Sequence, residues 1–183
     1  MSAVTQIILR CADVVTAIFS AKARTDSMPR LKQGLVVAGL IIALDQLSKY
    51  AITHTFMLGD YLTVTPFFDL VLAHNTGAAF SLFADQAGWQ RAFFIGTALI
   101  ASAIIIYLLR RKSGSVLFKL ALSLILGGAL GNLIDRILNG YVVDFLSFHI
   151  QQHYWPAFNV ADSAITIGAL LLVWDSFKKP HKP

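Results

Sequence analysis

Apolar residues run almost unbroken through four stretches of the chain, at about 34–53, 90–109, 117–138 and 160–177, and the segments between them turn polar. Each stretch is close to the roughly 20 residues a helix needs to cross the hydrocarbon core of a bilayer. The pattern predicts four membrane-spanning helices. Residues 60–84, DYLTVTPFFDLVLAHNTGAAFSLFA, are too polar and turn-rich to span. They alternate around Leu62 and Val64 and again from Asp69 to Ala73, as short strands do, before a loop at Asn75–Gly77. Such backbone cannot lie bare in lipid, so it is expected to cap the helix ends and to offer a cradle for an extended peptide. The expected fold is an all-α integral membrane protein with four transmembrane helices and a small extracytoplasmic β-like cap.

Composition agrees. Of 183 residues 56% are hydrophobic, and the mean hydropathy is +0.66, too apolar for a soluble domain of this size. The single cysteine, Cys11, rules out an intramolecular disulfide and a thiolate metal cluster. A net charge of +5 raises the question of nucleic acid, but the distribution answers it. Lys22, Arg24, Arg30 and Lys32 precede the first span, Arg110, Arg111, Lys112 and Lys119 surround the middle connection, and Lys178, Lys179 and Lys182 follow the last. Segments 54–89 and 139–159 contain no Lys or Arg. Positive loops stay in the cytoplasm, so both termini are expected inside and the two connections without Lys or Arg outside. The basic excess encodes topology, and no nucleic-acid partner is expected.

The body is expected over residues 28–178, with a short basic cytoplasmic tail at 179–183. Residues 1–27 carry an apolar stripe (Ile7, Ile8, Val14, Val15, Ile18, Phe19) broken by Arg10 and Asp13, a poor secretory signal. They read as a cytoplasmic extension, either amphipathic on the inner surface or, as favoured here, dispensable with Met28 as the working start.

Polar residues inside the spans each need a reason, because a charge at membrane depth costs roughly 3 kcal/mol or more. All ten acidic residues are aspartates. In ALDQLSKY, Asp45 and Lys49 stand four apart and are expected to neutralise each other as a structural pair. In LGGALGNLIDRILNG, Gly128, Gly131, Asn132, Asp135 and Arg136 share one helical face, where small residues admit a neighbouring backbone. A buried polar clasp and contact with a ligand are both open readings of that face. In the fourth span Asn159, Asp162, Ser163 and Thr166 form a polar stripe. A carboxylate at a helix N-terminus suits the unpaired N–H groups there, which is reason enough for Asp162 taken alone.

Asp144, in NGYVVDFLSF, changes that reading, because by the topology above it lies at the same outer boundary as Asp162. Two neighbouring carboxylates cannot both ionise cheaply, so one proton is shared. The ionised partner can then activate water while the protonated one polarises a carbonyl. Spacing alone does not bring the two side chains together. Other chemistries fare worse. His149 and His153 in HIQQH lack the glutamate of a zinc-protease helix and read as an exposed turn of helix or loop. Cys11 has no partner, and Ser48 points away from Lys49 around the helix.

The blocks DQLSK (45–49), NTGAAFS (75–81), GGALGNLIDR (127–136), GYVVDF (140–145) and FNVADSAI (158–165) appear in order. Together they resemble the lipoprotein signal peptidase (signal peptidase II) family over about residues 28–178. The resemblance implies a catalytic dyad of Asp144 and Asp162. It implies that Asn159 holds substrate or water beside the dyad and that Asn132 and Arg136 lie close to it. Asp45 and Asn75 would be supportive, and Asp135 structural, as the span reading makes Lys49 and Gly128. It further implies an aspartyl endopeptidase of the bacterial inner membrane that cuts prolipoproteins before a diacylglyceryl-modified cysteine. That enzyme needs no metal or organic cofactor, is a target of globomycin, and works among membrane lipids, expected as a monomer. A proton-coupled transporter and a non-enzymatic helix scaffold are the competing classes. The first should spread carboxylates through the membrane depth or repeat its halves, and the second should tolerate Asp144→Asn.

Overall fold

The computed structural model describes residues 30–77, 89–111 and 114–178. Readings that concern residues 1–27, Met28, 78–84 and 179–183 lie outside the described residues. Among the described residues, four helices are long and apolar enough to cross a membrane. They are α1 (Arg30–Thr55), α2 (Trp89–Arg110), α3 (Val116–Leu138) and α4 (Val160–Phe177), within a few residues of the predicted spans. Their boundaries have local causes. Ser115 caps α3, its hydroxyl accepting the Phe118 N–H at 2.9 Å. Asn159 caps α4 in a reciprocal box with Asp162, which satisfies two otherwise unpaired N–H groups.

Helix α3 is the centre of the bundle, packing against α1, α2 and α4. Its glycines make this possible, and they serve two neighbours rather than one. A Cβ on Gly127 would meet Ile41 Cβ at 2.7 Å and the Ala38 carbonyl at 2.9 Å, both on α1. A Cβ on Gly128 would run into the Ala161 carbonyl and Ile165 on α4. Gly168 returns the favour from α4, its missing Cβ leaving room for the Ala121 carbonyl. Small residues suit this setting because lipid tails give apolar faces no preference for one another, and close packing has to hold the helices together. Leu109 and Leu126 are fully buried at the core between α2 and α3, whereas Ile100 and Ile104 on α2 and Leu170 and Val173 on α4 face outward.

The cap is a four-stranded antiparallel sheet in the order β1-β2-β3-β4, formed by β1 (Tyr61–Thr65), β2 (Phe68–Asn75), β3 (Val142–Ile150) and β4 (His153–Tyr154). β1 and β2 fall where alternation predicted strands. β3 was not predicted as a strand, because VVDFLSF is buried on both faces along most of its length and shows no alternation. Leu70 and Leu72 of β2 pack with Val143 and Phe145 of β3 against Ile52 at the end of α1, which seats the sheet on the bundle. The HIQQH reading is corrected. His149 and His153 lie on paired strands, with Gln151 at φ 54° between them, and only His153 is exposed. His149 is half-buried: its Nε2 lies 3.3 Å from the buried Asp69 carboxylate of the neighbouring strand, and its ring stacks on Tyr154.

Asp45 and Lys49 pair at 2.7 Å, as their spacing predicts. Asp45 does more than neutralise Lys49: its Oδ1 accepts the Ala161 N–H of α4 at 2.9 Å, so α1 helps close the N-terminus of α4. Asp45→Ala removes both partners from groups that stay buried. Breaking a buried pair costs roughly 3–5 kcal/mol, so a marked fall in detergent melting temperature and partial loss of activity are expected. Unchanged melting with full activity would refute this.

Candidate active site

Asp144 sits on β3, 2% exposed, and Asp162 sits in the first turn of α4, half-buried. Two anchors bring β3 to the bundle. Asp135, near the end of α3, accepts the Val143 N–H at 3.1 Å through Oδ2, and Phe145 and Leu146 donate to the Phe158 carbonyl just before α4 begins. A buried carboxylate on α3 thus sets the strand position immediately before Asp144.

Three asparagines then meet the two aspartates. Asn75 Nδ2 donates to Asp144 Oδ2 at 2.9 Å, and Asn159 Nδ2 to Asp144 Oδ1 at 2.7 Å. Asn132 Nδ2 donates to Asp162 Oδ1 at 2.7 Å, and the Asn159 backbone N–H reaches Asp162 Oδ2 at 3.3 Å. Each of the four carboxylate oxygens has one donor. The amide oxygens are engaged in turn. Asn75 Oδ1 accepts from the Gly77 N–H at 3.0 Å, Asn159 Oδ1 from the Asp162 N–H at 2.9 Å, and Asn132 Oδ1 from Lys49 Nζ at 3.0 Å. Every amide therefore turns its NH2 toward the dyad. Since a carboxylate oxygen has two lone-pair sites, each keeps room for a proton or a water.

The two environments differ. Burial, then the neighbouring Asp162 carboxylate, push Asp144 up to about 7, against the pull of the hydrogen bonds from Asn75 and Asn159. Asp162 opens onto a cavity of about 980 Å³, large enough for a small ligand. Its walls carry Asn75, Asn132, Arg136, Asp144 and Asp162 together with Tyr154, Trp155 and Phe158. Arg136 lies over the Phe94 ring, 4.9 Å from its centroid, and donates a long 3.4 Å bond to the Asn132 carbonyl.

The structure thus gathers Asp144, Asp162, Asn132, Arg136 and Asn75 around one cavity, with Asn159 fully buried behind the two aspartates rather than on its wall. Asp45, Asp135 and Lys49 stand behind it, and Gly128 lies at the α3–α4 contact. Sequence reasoning missed Gln46, whose Nε2 lies 2.9 Å from Asp135 Oδ1 and 3.2 Å from both Asp45 Oδ2 and the Gly131 carbonyl. Its presence inside a predicted span was the available signal, since any buried amide needs partners. The aromatic wall from Tyr154 to Phe158 was missed as well. Those residues adjoin the site through the sheet and the chain entering α4, which periodicity does not register.

The profile of the Signal peptidase (SPase) II family matches residues 37–178. A lipoprotein signal peptidase of Ralstonia nicotianae is 56% identical over 141 residues, 77% of this chain and 82% of that protein. One of Cupriavidus pinatubonensis is 51% identical over 148 residues, 81% and 84% of the respective chains. Two solved bacterial membrane enzymes share the fold. One has a TM-score of 0.73 at 32% identity, covering 81% of this chain and 95% of that one. The other has 0.70 at 34%, covering 83% and 94%. Helices, cap and neighbours define a bacterial multi-pass membrane enzyme. The chain belongs to the signal peptidase II family, and it is a peptidase.

Proposed function

We propose that this peptidase removes signal peptides from prolipoproteins, cutting before a diacylglyceryl-modified cysteine, with Asp144 and Asp162 as an aspartyl dyad. The observation that carries the reading is the pair itself: two carboxylates bordering one cavity, with Asn159 donating to both, to Asp144 through its side-chain NH2 and to Asp162 through its backbone N–H. Asp144, raised to about 7, is the acid that protonates or polarises the scissile carbonyl. Asp162 is the base that takes a proton from the attacking water. The water's oxygen bonds to the carbonyl carbon, the C–N bond breaks, and the proton goes to the leaving amine. Asn75, Asn132 and Asn159 hold the carboxylates in place, so reorganisation during the step is small.

The basic loops orient both termini to the cytoplasm and the dyad to the extracytoplasmic face of the inner membrane. There a substrate held by its lipid presents the bond at a depth where water and apolar walls meet. The exposed apolar faces of α2 and α4 suit lipid tails, and one chain contains every group the reaction needs, so a monomer suffices.

The test is cleavage of a diacylglyceryl-modified precursor peptide by the purified protein, beside the same peptide without lipid, across pH. Only the lipidated peptide should be cut. The sign of the pH effect follows from Asp144. Its raised value keeps it protonated below about 7, so the rate should fall roughly tenfold per pH unit once pH rises well past that point. Equal cleavage of both peptides would remove the substrate assignment. A rate that climbs steadily to pH 9 would remove the role of Asp144 as acid.

A further inference from the structure

Lys49 reads from sequence as the structural partner of Asp45, and its surroundings give it a second task. Its ammonium has three protons and no acceptor capacity. It meets three acceptors: Asp45 Oδ2 at 2.7 Å, Asp135 Oδ2 at 2.9 Å and Asn132 Oδ1 at 3.0 Å. Lys49 is 4% exposed, so no water competes for these protons from bulk. Because an ammonium can only donate, the atom of Asn132 that faces it has to be the amide oxygen. The NH2 of the same amide then has to face the other way, where Asp162 Oδ1 accepts it at 2.7 Å.

The other donor near the Asn132 oxygen is Asn159 Nδ2, at 3.2 Å. Its two protons are divided among three acceptors, the nearest being Asp144 at 2.7 Å and the last the Val143 carbonyl at 3.3 Å. It is a weak guide for the amide on its own. Lys49 supplies the dedicated one.

We infer that Lys49 is a positioning residue for the hydrolysis: by holding the amide oxygen of Asn132, it turns the NH2 of that residue toward Asp162 and fixes the carboxylate that activates water. The inference rests on the dyad reading above. It separates Lys49 from a simple buried ion pair, whose removal would change how much protein folds but not what the folded protein does per turnover.

The test is a double-mutant cycle on purified protein, with kcat expressed per folded molecule. Outer partners that orient a reacting group are typically worth about 10- to 100-fold, and Lys49→Met should lower kcat by that factor with KM within twofold of wild type. Asn132→Leu should cost at least as much. The double variant should be no slower than Asn132→Leu alone, because the inference routes the effect of Lys49 on Asp162 through Asn132. Multiplying losses in the double variant, or a kcat for Lys49→Met within twofold of wild type, would overturn the inference. If Lys49→Met does not fold, the same cycle is run in an Asp135→Asn background, which removes one of the carboxylates left unpaired. There Lys49→Met should still lower kcat, and recovery to the Asp135→Asn rate would overturn the inference. Asp144→Asn and Asp162→Asn run alongside. If these cut normally, the dyad reading itself has failed; if they are dead while the cycle is multiplicative, only the role of Lys49 has.

Discussion

Asp162→Asn should abolish cleavage of the lipidated precursor while leaving a folded protein. Losing the base of an acid–base pair costs about 100- to 10,000-fold, and asparagine cannot take the water's proton at any working pH. The fold should survive because the main cap of α4 runs the other way, from the Asp162 N–H to Asn159 Oδ1. The side chain also borders the cavity, where water can satisfy a misplaced amide proton. Asp144→Asn should be equally inactive but less stable. Both oxygens of Asp144 face NH2 groups whose amide oxygens are engaged elsewhere. An asparagine there sets NH2 against NH2 whichever way it turns, which costs about 1–3 kcal/mol for a buried unsatisfied group. Activity above a tenth of wild type in either folded variant would contradict the dyad, and equal melting temperatures would contradict the account of the amides.

Asn159 gives the second large effect, and two substitutions divide its duties. It is fully buried, caps α4 through its oxygen and holds Asp144 through its NH2. Asn159→Ala loses both, so a cap worth about 1 kcal/mol and a roughly 100- to 1,000-fold share of activity should go together. Asn159→Asp keeps the cap oxygen but puts a third carboxylate against the dyad. Its α4 should remain capped, while turnover falls at least as far as in Asn159→Ala. Measuring kcat and melting for the pair checks this. An Asn159→Asp protein within threefold of wild-type rate would show that the NH2 on Asp144 is dispensable.

The helices were readable because a long apolar run has one physical meaning in a bilayer chain. The Asp45–Lys49 pair was readable because both ends lie on one helix at a spacing that forces contact. Alternation revealed β1 and β2. It missed β3, where Val142, Val143, Asp144 and Phe145 are all buried, so apolar and polar positions do not alternate. The candidate pair Asp144 and Asp162 was readable as two acids on one expected side of the membrane, but the groups that hold them were not. Gln46 reaches partners 85 and 89 positions away, and the Val143 N–H that meets Asp135 is a backbone group with no side-chain signature. Pattern reading works along an element; the oxygens and amides around Asp144 come from α3, β2, β3 and the start of α4 at once.

The placement of Asp45 and Lys49 on the same helix also bears on biosynthesis. Spans emerge from the ribosome in order, so α1 meets lipid before α3 and α4 exist to supply Asn132, Asp135 or the Ala161 N–H. Four residues apart, the two charges neutralise each other during that interval, and α1 crosses the insertion machinery as a nearly uncharged segment. When the later helices arrive, the same two groups are already at the right depth to receive them. The first span carries its half of the polar centre into the membrane in a self-contained form, and the last span completes it.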